Sequence, residues 1–253
     1  MAVWALADLH LALSVPEKKM DVFGEPWIHY VDQIQSHWTR LIQSDDLVLI
    51  PGDITWAMRP DQARIDLEWI DKLPGTKLLL RGNHDYWWSS LRQVEKILPP
   101  SIHLIQNNAF CWKNICVGGT RLWDSIEYSF DRYINYVPNP RAKDFTNKSP
   151  TTLSDQNKIF QRELQRLECS LKEMEKFPNT FRIAMTHYPP IGADLAPSET
   201  SALLEKYGIR VCVFGHLHNV KKDIPLFGTH NGIQYLFVAA DHLRFVPLKI
   251  EVS

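Results

Sequence analysis

The chain has 253 residues, 45% of them hydrophobic, and a formal net charge of −1 at pH 7. This length and apolar content allow one large α/β domain with a sizeable core. The near-neutral charge, without any block of like charges, argues against a nucleic acid or an acidic membrane surface as partner.

Short apolar runs recur along the chain and predict strands. Each run is continuous rather than alternating, which is typical of strands covered on both faces. The predicted strands are 2–7, 46–52, 76–82, 114–119, 181–186, 210–215, 235–240 and 248–252. Short links after Val211 indicate a mixed sheet.

Helical periodicity fills several of the gaps between these strands. The apolar stripes predict helices near 27–42, 60–73, 91–98, 153–177 and 198–207. The longest of them has a seam of Phe160, Leu164, Leu167, Leu171 and Met174, and the Glu and Lys residues between are expected to be solvated. Strands alternating with helices predict an α/β layered fold, and we find no boundary that would divide residues 1–253 into more than one domain.

Residues 125–152 are polar and contain three prolines, which predicts either a surface loop or a lid over a cleft.

The four cysteines form no C-x-x-C pair, so we expect neither a zinc ribbon nor a disulfide framework. Cys116 and Cys212 are expected to be small buried apolar residues.

The N-terminus reaches Asp8 too soon for a signal peptide, and no apolar run is long enough to span a bilayer, so we expect a cytoplasmic protein.

Polar side chains directly follow five of the predicted strands. In open α/β sheets the chemistry gathers beyond the carboxyl ends of the strands, so these side chains are the candidate site residues. They are Asp8 with His10, Asp53, Asn83 with His84 and Asp85, His187, and His216 with His218.

The spacing within these groups has a geometric reason. In an extended chain, residues i and i+2 point the same way, so Asp8 and His10 can converge while Leu9 packs on the other side. The same holds for His216 and His218. Glycines let the backbone turn sharply or approach the cluster at three of the strand ends, namely Gly52, Gly82 and Gly215.

The side chains together form a metal-ligand set. Two carboxylates, one amide oxygen, up to four imidazoles and no thiolate suit a divalent ion such as Mn²⁺, Fe²⁺ or Zn²⁺. Six or seven ligands exceed one tetrahedral zinc, and a carboxylate such as Asp53 can bridge two ions ~4 Å apart. Two cations also offset the repulsion between Asp8 and Asp53. The residues therefore predict two divalent ions.

The ordered set D-x-H, GD, GNHD, H and GHxH resembles the calcineurin-like metallophosphoesterase superfamily. It extends from Asp8 to His218, and the stretches "MDVFGEPW", "IPGDITWAM" and "GNHDYWW" resemble a bacterial subgroup of predicted phosphohydrolases. The resemblance implies a four-layer α/β/β/α sandwich of two mixed sheets. It also implies a hydrolase of small phosphomonoesters or phosphodiesters that uses a hydroxide bridging two ions of Mn²⁺, Zn²⁺ or iron (Fe²⁺ or Fe³⁺).

The resemblance further assigns a role to each candidate residue. It implies that the first metal is held by Asp8, His10 and His218, that the second is held by Asn83, His187 and His216, and that Asp53 bridges the two. His84 and Asp85 would be catalytic.

In that assignment His84 would face the scissile phosphate, and Asp85 would hydrogen-bond its far nitrogen and favour its protonated form. The protein serine/threonine phosphatase branch has an arginine soon after GD and a glutamate after GNH. This chain has neither, which argues against a protein phosphatase.

Alternative functions are a nucleotide-pyrophosphate hydrolase, a nuclease, or a catalytically silent metal-binding interaction module. A nuclease would be expected to show a basic groove, and a silent member would be expected to have lost ligands.

The tryptophans Trp56, Trp87 and Trp88 could stack on a substrate or be packing residues. Arg121 could reach a substrate phosphate or form a surface ion pair.

Overall fold

The computed structural model describes residues 1–137 and 152–252. The strands in these ranges are β1 (Val3–Ala5), β2 (Leu47–Pro51), β3 (Thr76–Leu80), β4 (Ile102–Ile105), β5 (Ala109–Trp112), β6 (Ile115–Thr120), β7 (Phe181–Thr186), β8 (Val211–Phe214), β9 (Gly228–His230), β10 (Ile233–Phe237) and β11 (Leu248–Ile250). The α-helices are α1 (Tyr30–Leu41), α2 (Pro60–Asp71), α3 (Leu91–Glu95), α4 (Leu153–Met174) and α5 (Glu199–Lys206).

The strands form two mixed sheets. The first has the order β11-β1-β2-β3-β4, with β1 to β4 parallel and β11 antiparallel to β1. The second has the order β5-β6-β7-β8-β10-β9, in which β6, β7, β8 and β10 run parallel between two antiparallel edge strands. The carboxyl ends of the parallel strands in each sheet therefore lie at one edge of that sheet.

Three clusters of buried apolar residues pack the two sheets against each other and against the helices on their outer faces, which gives four layers. Alternate residues of a strand point to opposite faces, so Leu47 and Leu49 pack between the sheets while Val48 and Ile50 face α1, α2 and α3. On the far side, α4 and α5 pack against the outer face of the second sheet. The four-layer α/β/β/α fold with two mixed sheets is confirmed.

The strands that sequence periodicity does not predict are at sheet edges. β4 ends the first sheet, and β5 and β9 end the second. An edge strand is partly exposed, so it lacks the continuous apolar run of a covered strand. His103 in β4 is exposed, and every residue of β5 is only half-buried.

The backbone conformation and the capping residues at each N-terminus determine where the helices begin. α1 starts at Tyr30 rather than near residue 27, because Glu25–Trp27 forms a 3₁₀ turn and His29 takes a left-handed conformation with φ 55°. Pro60 occupies the first turn of α2, and Ser198 caps α5 through a reciprocal capping box.

Two expectations about buried groups are wrong. Cys116 is buried as expected, but it lies directly across β5–β6 from Cys111 and forms a disulfide with it, although the sequence indicated none. Glu163 is not on the solvated face of α4, since it is buried between Thr120 and Arg166. Cys212 is buried, as expected.

The polar segment predicted at 125–152 is described only in part. Residues 125–137 form a loop that contains one 3₁₀ turn, Asp131–Tyr133, and residues 138–151 lie outside the described residues. The described part of this loop lines a cavity of about 310 Å³ together with Tyr188 and His216. Among the described helices, none combines the length and apolar character that a bilayer crossing requires.

Candidate metal centre

The candidate residues come from the carboxyl ends of strands in both sheets. Asp8 and His10 follow β1, Asp53 follows β2, and Asn83 to Asp85 follow β3 in the first sheet; His187 follows β7, and His216 and His218 follow β8 in the second. The loop after β1 extends the ladder with β2, because Asp8 N–H donates to Gly52 O and His10 N–H to Asp53 O. The loops of the two sheets meet directly, since the backbone N–H of His216 donates to the Asp8 carboxylate at 3.0 Å.

The backbone at this edge departs from the extended conformation expected for Asp8 and His10. Asp8, His10, Asp53 and His216 all have positive φ, between 44° and 75°. A non-glycine residue in this region costs about 1 kcal/mol or more, and it persists where the surrounding structure imposes it. Asp8 and His10 therefore converge through left-handed turns rather than through an i, i+2 strand geometry, while Leu9 is fully buried as predicted.

Two glycines allow the loops to approach this closely. A Cβ at Gly82 would overlap the Asp53 carboxylate, and a Cβ at Gly215 would overlap the Asp8 carboxylate. Both positions therefore exclude any side chain.

The first group of donor atoms comprises Asp8, His10 and His218. One ligand atom from each lies within 4.8 Å of the others, and the two Nε2 atoms of His10 and His218 are 3.2 Å apart. Ligand atoms bound ~2.1 Å from one ion at right angles are roughly 3 Å from one another, so this spacing fits a shared cation.

The second group comprises Asn83, His187 and His216. Asn83 Oδ1 lies 2.6 Å from His187 Nε2 and 3.0 Å from His216 Nδ1, and those two nitrogens are 3.2 Å apart. Asp53 lies between the two groups, with its Oδ2 3.7 Å from His10 Nε2 and 3.5 Å from His187 Nε2.

A hydrogen bond at the far side of the His187 ring leaves acceptor atoms facing one another. His187 Nδ1 lies 3.1 Å from the carbonyl of Pro51, which can only accept, so the neutral ring carries its proton there and presents a bare Nε2. That Nε2 faces the Asn83 amide oxygen and the Asp53 carboxylate. Convergent acceptors repel one another unless a cation lies between them, so the residues fit a bound metal ion.

The pKa shifts of the candidate ligands also favour a bound cation. Burial raises the pKa of Asp8 and Asp53 and lowers the pKa of His10 and His216. Burial also lowers the pKa of His187, to about 3. Burial thus disfavours the two carboxylate anions unless a cation lies beside them, and it keeps three imidazoles neutral, which is the protonation state that a metal-binding imidazole needs.

Asp241 is a member of the site that the sequence analysis missed. It follows β10, and its Oδ1 accepts a hydrogen bond from His218 Nδ1 at 3.0 Å while its Oδ2 accepts from Asn219 N–H. Burial lowers the pKa of His218, but the charge and hydrogen bond of Asp241, together with the charges of Asp8 and Asp53, outweigh burial and raise that pKa to about 9. The sequence does carry a signal for Asp241, because it is an acidic residue directly after the predicted apolar strand 235–240.

We expect Asp241→Asn to weaken the binding of one metal ion about 10- to 100-fold, because Asp241 orients His218 and increases its basicity. Metal content after dialysis against graded chelator measures the change. Asp223→Asn, at an exposed position of a nearby loop, is the matched control. Metal retention equal to that of the unmodified protein would show that Asp241 does not support His218.

Asp85 has a different position from the one that the resemblance implied. Its Oδ1 accepts from Ile54 N–H, Thr55 N–H and the Trp87 indole at 2.9 to 3.2 Å, and its Oδ2 accepts from Gly82 N–H at 2.7 Å. The expected hydrogen bond to His84 is therefore wrong. The fully buried Asp85 joins the loops after β2 and β3, which carry Asp53 and Asn83.

His84 lies beside the first donor group with different neighbours. Its ring centroid is 5.8 Å from that of His10 and 4.6 Å from that of Trp56, and its backbone N–H donates to Asp53 Oδ1 at 2.8 Å. Its Nδ1 is 3.3 Å from the hydroxyl of Tyr86. Burial lowers the pKa of His84, against the protonated form that Asp85 was expected to favour.

The aromatic residues next to the site are mostly packing residues. Trp87 and Trp88 are buried, which excludes direct stacking on a substrate in this conformation. Trp56 is half-buried and stacks on His10 at 5.0 Å. Arg121 forms an ion pair with the buried Glu163 at 3.5 Å rather than one at the surface.

Comparisons with known proteins give one family and one fold. Residues 1–220 match the family model described as calcineurin-like phosphoesterase. No curated protein matches the chain. The structure is similar to a phosphopantetheinyl hydrolase from Mycobacterium tuberculosis, with 15% identity and a TM-score of 0.59 over 100% of this chain and 96% of that one. It also matches the calcineurin-like phosphoesterase YfkN from Bacillus subtilis, with 14% identity and a TM-score of 0.46 over 100% and 86% of the two chains.

Proposed function

The chain belongs to the calcineurin-like phosphoesterase family, whose members act on small phosphate esters, and it is a phosphoric ester hydrolase. On that premise we propose that it hydrolyses phosphomonoesters or phosphodiesters at a centre of two divalent metal ions. Asp8, His10 and His218 would hold one ion, Asn83, His187 and His216 would hold the other, and Asp53 would bridge them. The convergence of carboxylate, amide and imidazole ligand atoms in two adjacent groups is the observation that carries this proposal.

Two divalent ions held there would supply Lewis-acid chemistry, which lowers the pKa of water and neutralises phosphoryl oxygens. The chain itself supplies the framework that holds this charge in place. His187 is fixed by its hydrogen bond to Pro51 O, and His218 is fixed by its bond to Asp241. Asp53 is oriented by the N–H of His84. Such preorganisation means that the site need not rearrange as charge develops in the transition state.

His84 is the residue of this chain best placed to act on the substrate. It follows the metal-ligand candidate Asn83, it lies beside the first donor group, and it is not itself part of either group. A half-buried imidazole there can donate a hydrogen bond to a phosphoryl oxygen or pass a proton to the leaving alkoxide.

Tyr86 is expected to position the ring of His84, because its hydroxyl lies 3.3 Å from His84 Nδ1. A hydrogen bond of this kind contributes ~0.5–1.5 kcal/mol, so we expect Tyr86→Phe to lower kcat/KM about two- to tenfold with metal content unchanged. The exposed Tyr136→Phe variant is the matched control. An unchanged kcat/KM in Tyr86→Phe would mean that this hydroxyl does not orient His84.

The proposed function is tested with dialysed protein, reloaded with Mn²⁺, on p-nitrophenyl phosphate and on its bis ester. We expect turnover of at least one ester, and loss of that turnover after removal of the metal. Bound metal without turnover of either ester would instead support the interaction module. A panel of nucleotides, cyclic nucleotides and sugar phosphates under the same metal condition separates monoesterase, diesterase and pyrophosphatase activities.

A further inference from the structure

A small polar cavity lies beside the candidate metal centre at the same edge of the sheets. It has a volume of about 70 Å³ and is lined by residues that follow β3, β4 and β6, together with two residues of α4. The polar residues that matter are Arg81, Gln106, Thr120, Arg121, Glu163 and Arg166. A cavity of this size has room for a small polar group such as a phosphate or a carboxylate.

Positive charge exceeds negative charge around this cavity. Three guanidinium groups line it, and among its described lining residues Glu163 is the one carboxylate. Both oxygens of Glu163 are already engaged: Oε1 lies 2.6 Å from Arg166 and 3.5 Å from Arg121, and Oε2 accepts from the Thr120 hydroxyl at 3.0 Å. One buried carboxylate cannot neutralise three guanidinium groups.

Arg81 is the least compensated of the three. Its Nε is buried and has no hydrogen-bond partner among the described residues. The carboxylate of Asp85, four residues further along the chain, is already occupied by four N–H groups. A buried donor that lacks an acceptor is costly, so this position favours an anion.

The cavity is connected to the candidate metal centre through the backbone. The carbonyl of Arg121 accepts hydrogen bonds from His187 N–H at 3.1 Å and from Tyr188 N–H at 3.0 Å. Arg81 directly precedes Gly82, whose backbone lies against the Asp53 carboxylate.

We propose that Arg81, Arg121 and Arg166 form a subsite for a second anionic group of the substrate, a phosphate or a carboxylate. This rests on the proposed function, because the phosphoryl group to be cleaved would lie at the metal centre. Guanidinium groups bind such anions in bidentate geometry, and the cavity has room for the anionic group. The substrate class is therefore a phosphate ester that carries a further negative group near the scissile one.

The subsite is tested first by calorimetric titration of metal-free protein with inorganic phosphate. Phosphate binding that is lost in the arginine variants reports the arginine cluster rather than the metal centre. We expect binding in the unmodified protein and at least about tenfold weaker binding in Arg121→Gln and Arg81→Gln. Arg64→Gln, whose ion pair with Glu68 is exposed on α2, is the matched control and should bind as the unmodified protein does.

Three results of this titration would overturn the subsite: no phosphate binding, equal binding in all variants, or an equal loss in Arg64→Gln. Thermal unfolding verifies that each variant is folded. If Arg121→Gln is unfolded, Arg166→Gln replaces it, because its side chain is 47% exposed and can be changed with little effect on packing.

The substrate assignment is tested by competition with p-nitrophenyl phosphate in Mn²⁺-loaded protein. Fructose 1,6-bisphosphate is compared with fructose 6-phosphate, and ADP with AMP. We expect the member with the additional phosphate to compete at least about tenfold better in one pair, and that advantage to disappear in Arg121→Gln. No advantage in either pair, or an advantage that Arg121→Gln retains, would refute a substrate role and leave at most a site for free anions. Absence of all ester turnover contradicts the proposed function instead, while the phosphate titration still decides the subsite.

Discussion

Replacing Asp53 with asparagine is expected to remove bound metal and activity together. Asp53 Oδ2 lies 3.7 Å from His10 Nε2 and 3.5 Å from His187 Nε2, between the two donor groups. Asparagine keeps an oxygen that can accept the His84 N–H bond, but it removes the negative charge. Metal ions contribute several kcal/mol of transition-state stabilisation, so we expect kcat/KM to fall at least about 10³-fold.

Elemental analysis of dialysed protein measures the metal content, and kcat/KM on p-nitrophenyl phosphate measures activity. Asp45→Asn, at a position where the side chain is 62% exposed, is the matched control and should retain both. If Asp53→Asn retained two ions per chain and normal turnover, Asp53 would not be the bridging ligand.

His84→Ala is expected to separate metal binding from catalysis. Since His84 lies beside the donor groups without belonging to either, both ions should remain bound. Positioned proton transfer contributes about 10²- to 10⁴-fold, so kcat should fall by an amount in that range.

The control for this variant is His103→Ala, because His103 is exposed on the edge strand β4 and belongs to neither donor group. A metal-free His84→Ala protein would show that His84 is a ligand. Full activity with both ions bound would show that it does not act on the substrate.

The fold was predictable from sequence because most of its strands are covered on both faces. Continuous apolar runs such as 46–52 and 181–186 correspond to β2 and β7 in the middle of their sheets. The edge strands β4, β5 and β9 were missed because partial exposure breaks the apolar run. The same limitation affects helix starts: the backbone of His29, not hydrophobicity, decides where α1 begins.

The convergence of the candidate side chains was predictable because polar residues after parallel strands share one edge of a sheet. Their individual ligand roles stay a prediction until metal is measured. The partners of the buried acids were not predictable, because they depend on how loops fold in three dimensions. Asp85 was assigned to its sequence neighbour His84, whereas its hydrogen bonds go to the loops after β2 and β3.

Glu163 shows the same limitation on a helix. Periodicity places it outside the apolar seam of α4, yet the arginines after β3 and β6 surround it with positive charge. Asp241 was missed for a simpler reason, since the strand-end pattern was not applied to the predicted strand 235–240, which Asp241 directly follows. A systematic search for acids after every apolar run would have found it.

Each proposed ligand set draws on both sheets, since Asp8 and His10 lie on the first and His218 on the second, and Asn83 lies on the first while His187 and His216 lie on the second. Metal ions bound there would therefore act as cross-links between the two halves of the sandwich. By mass action, an ion at 100 times its dissociation constant adds ~2.7 kcal/mol to the free energy of unfolding. Cellular metal supply would then set how long the folded protein survives as well as how fast it turns over.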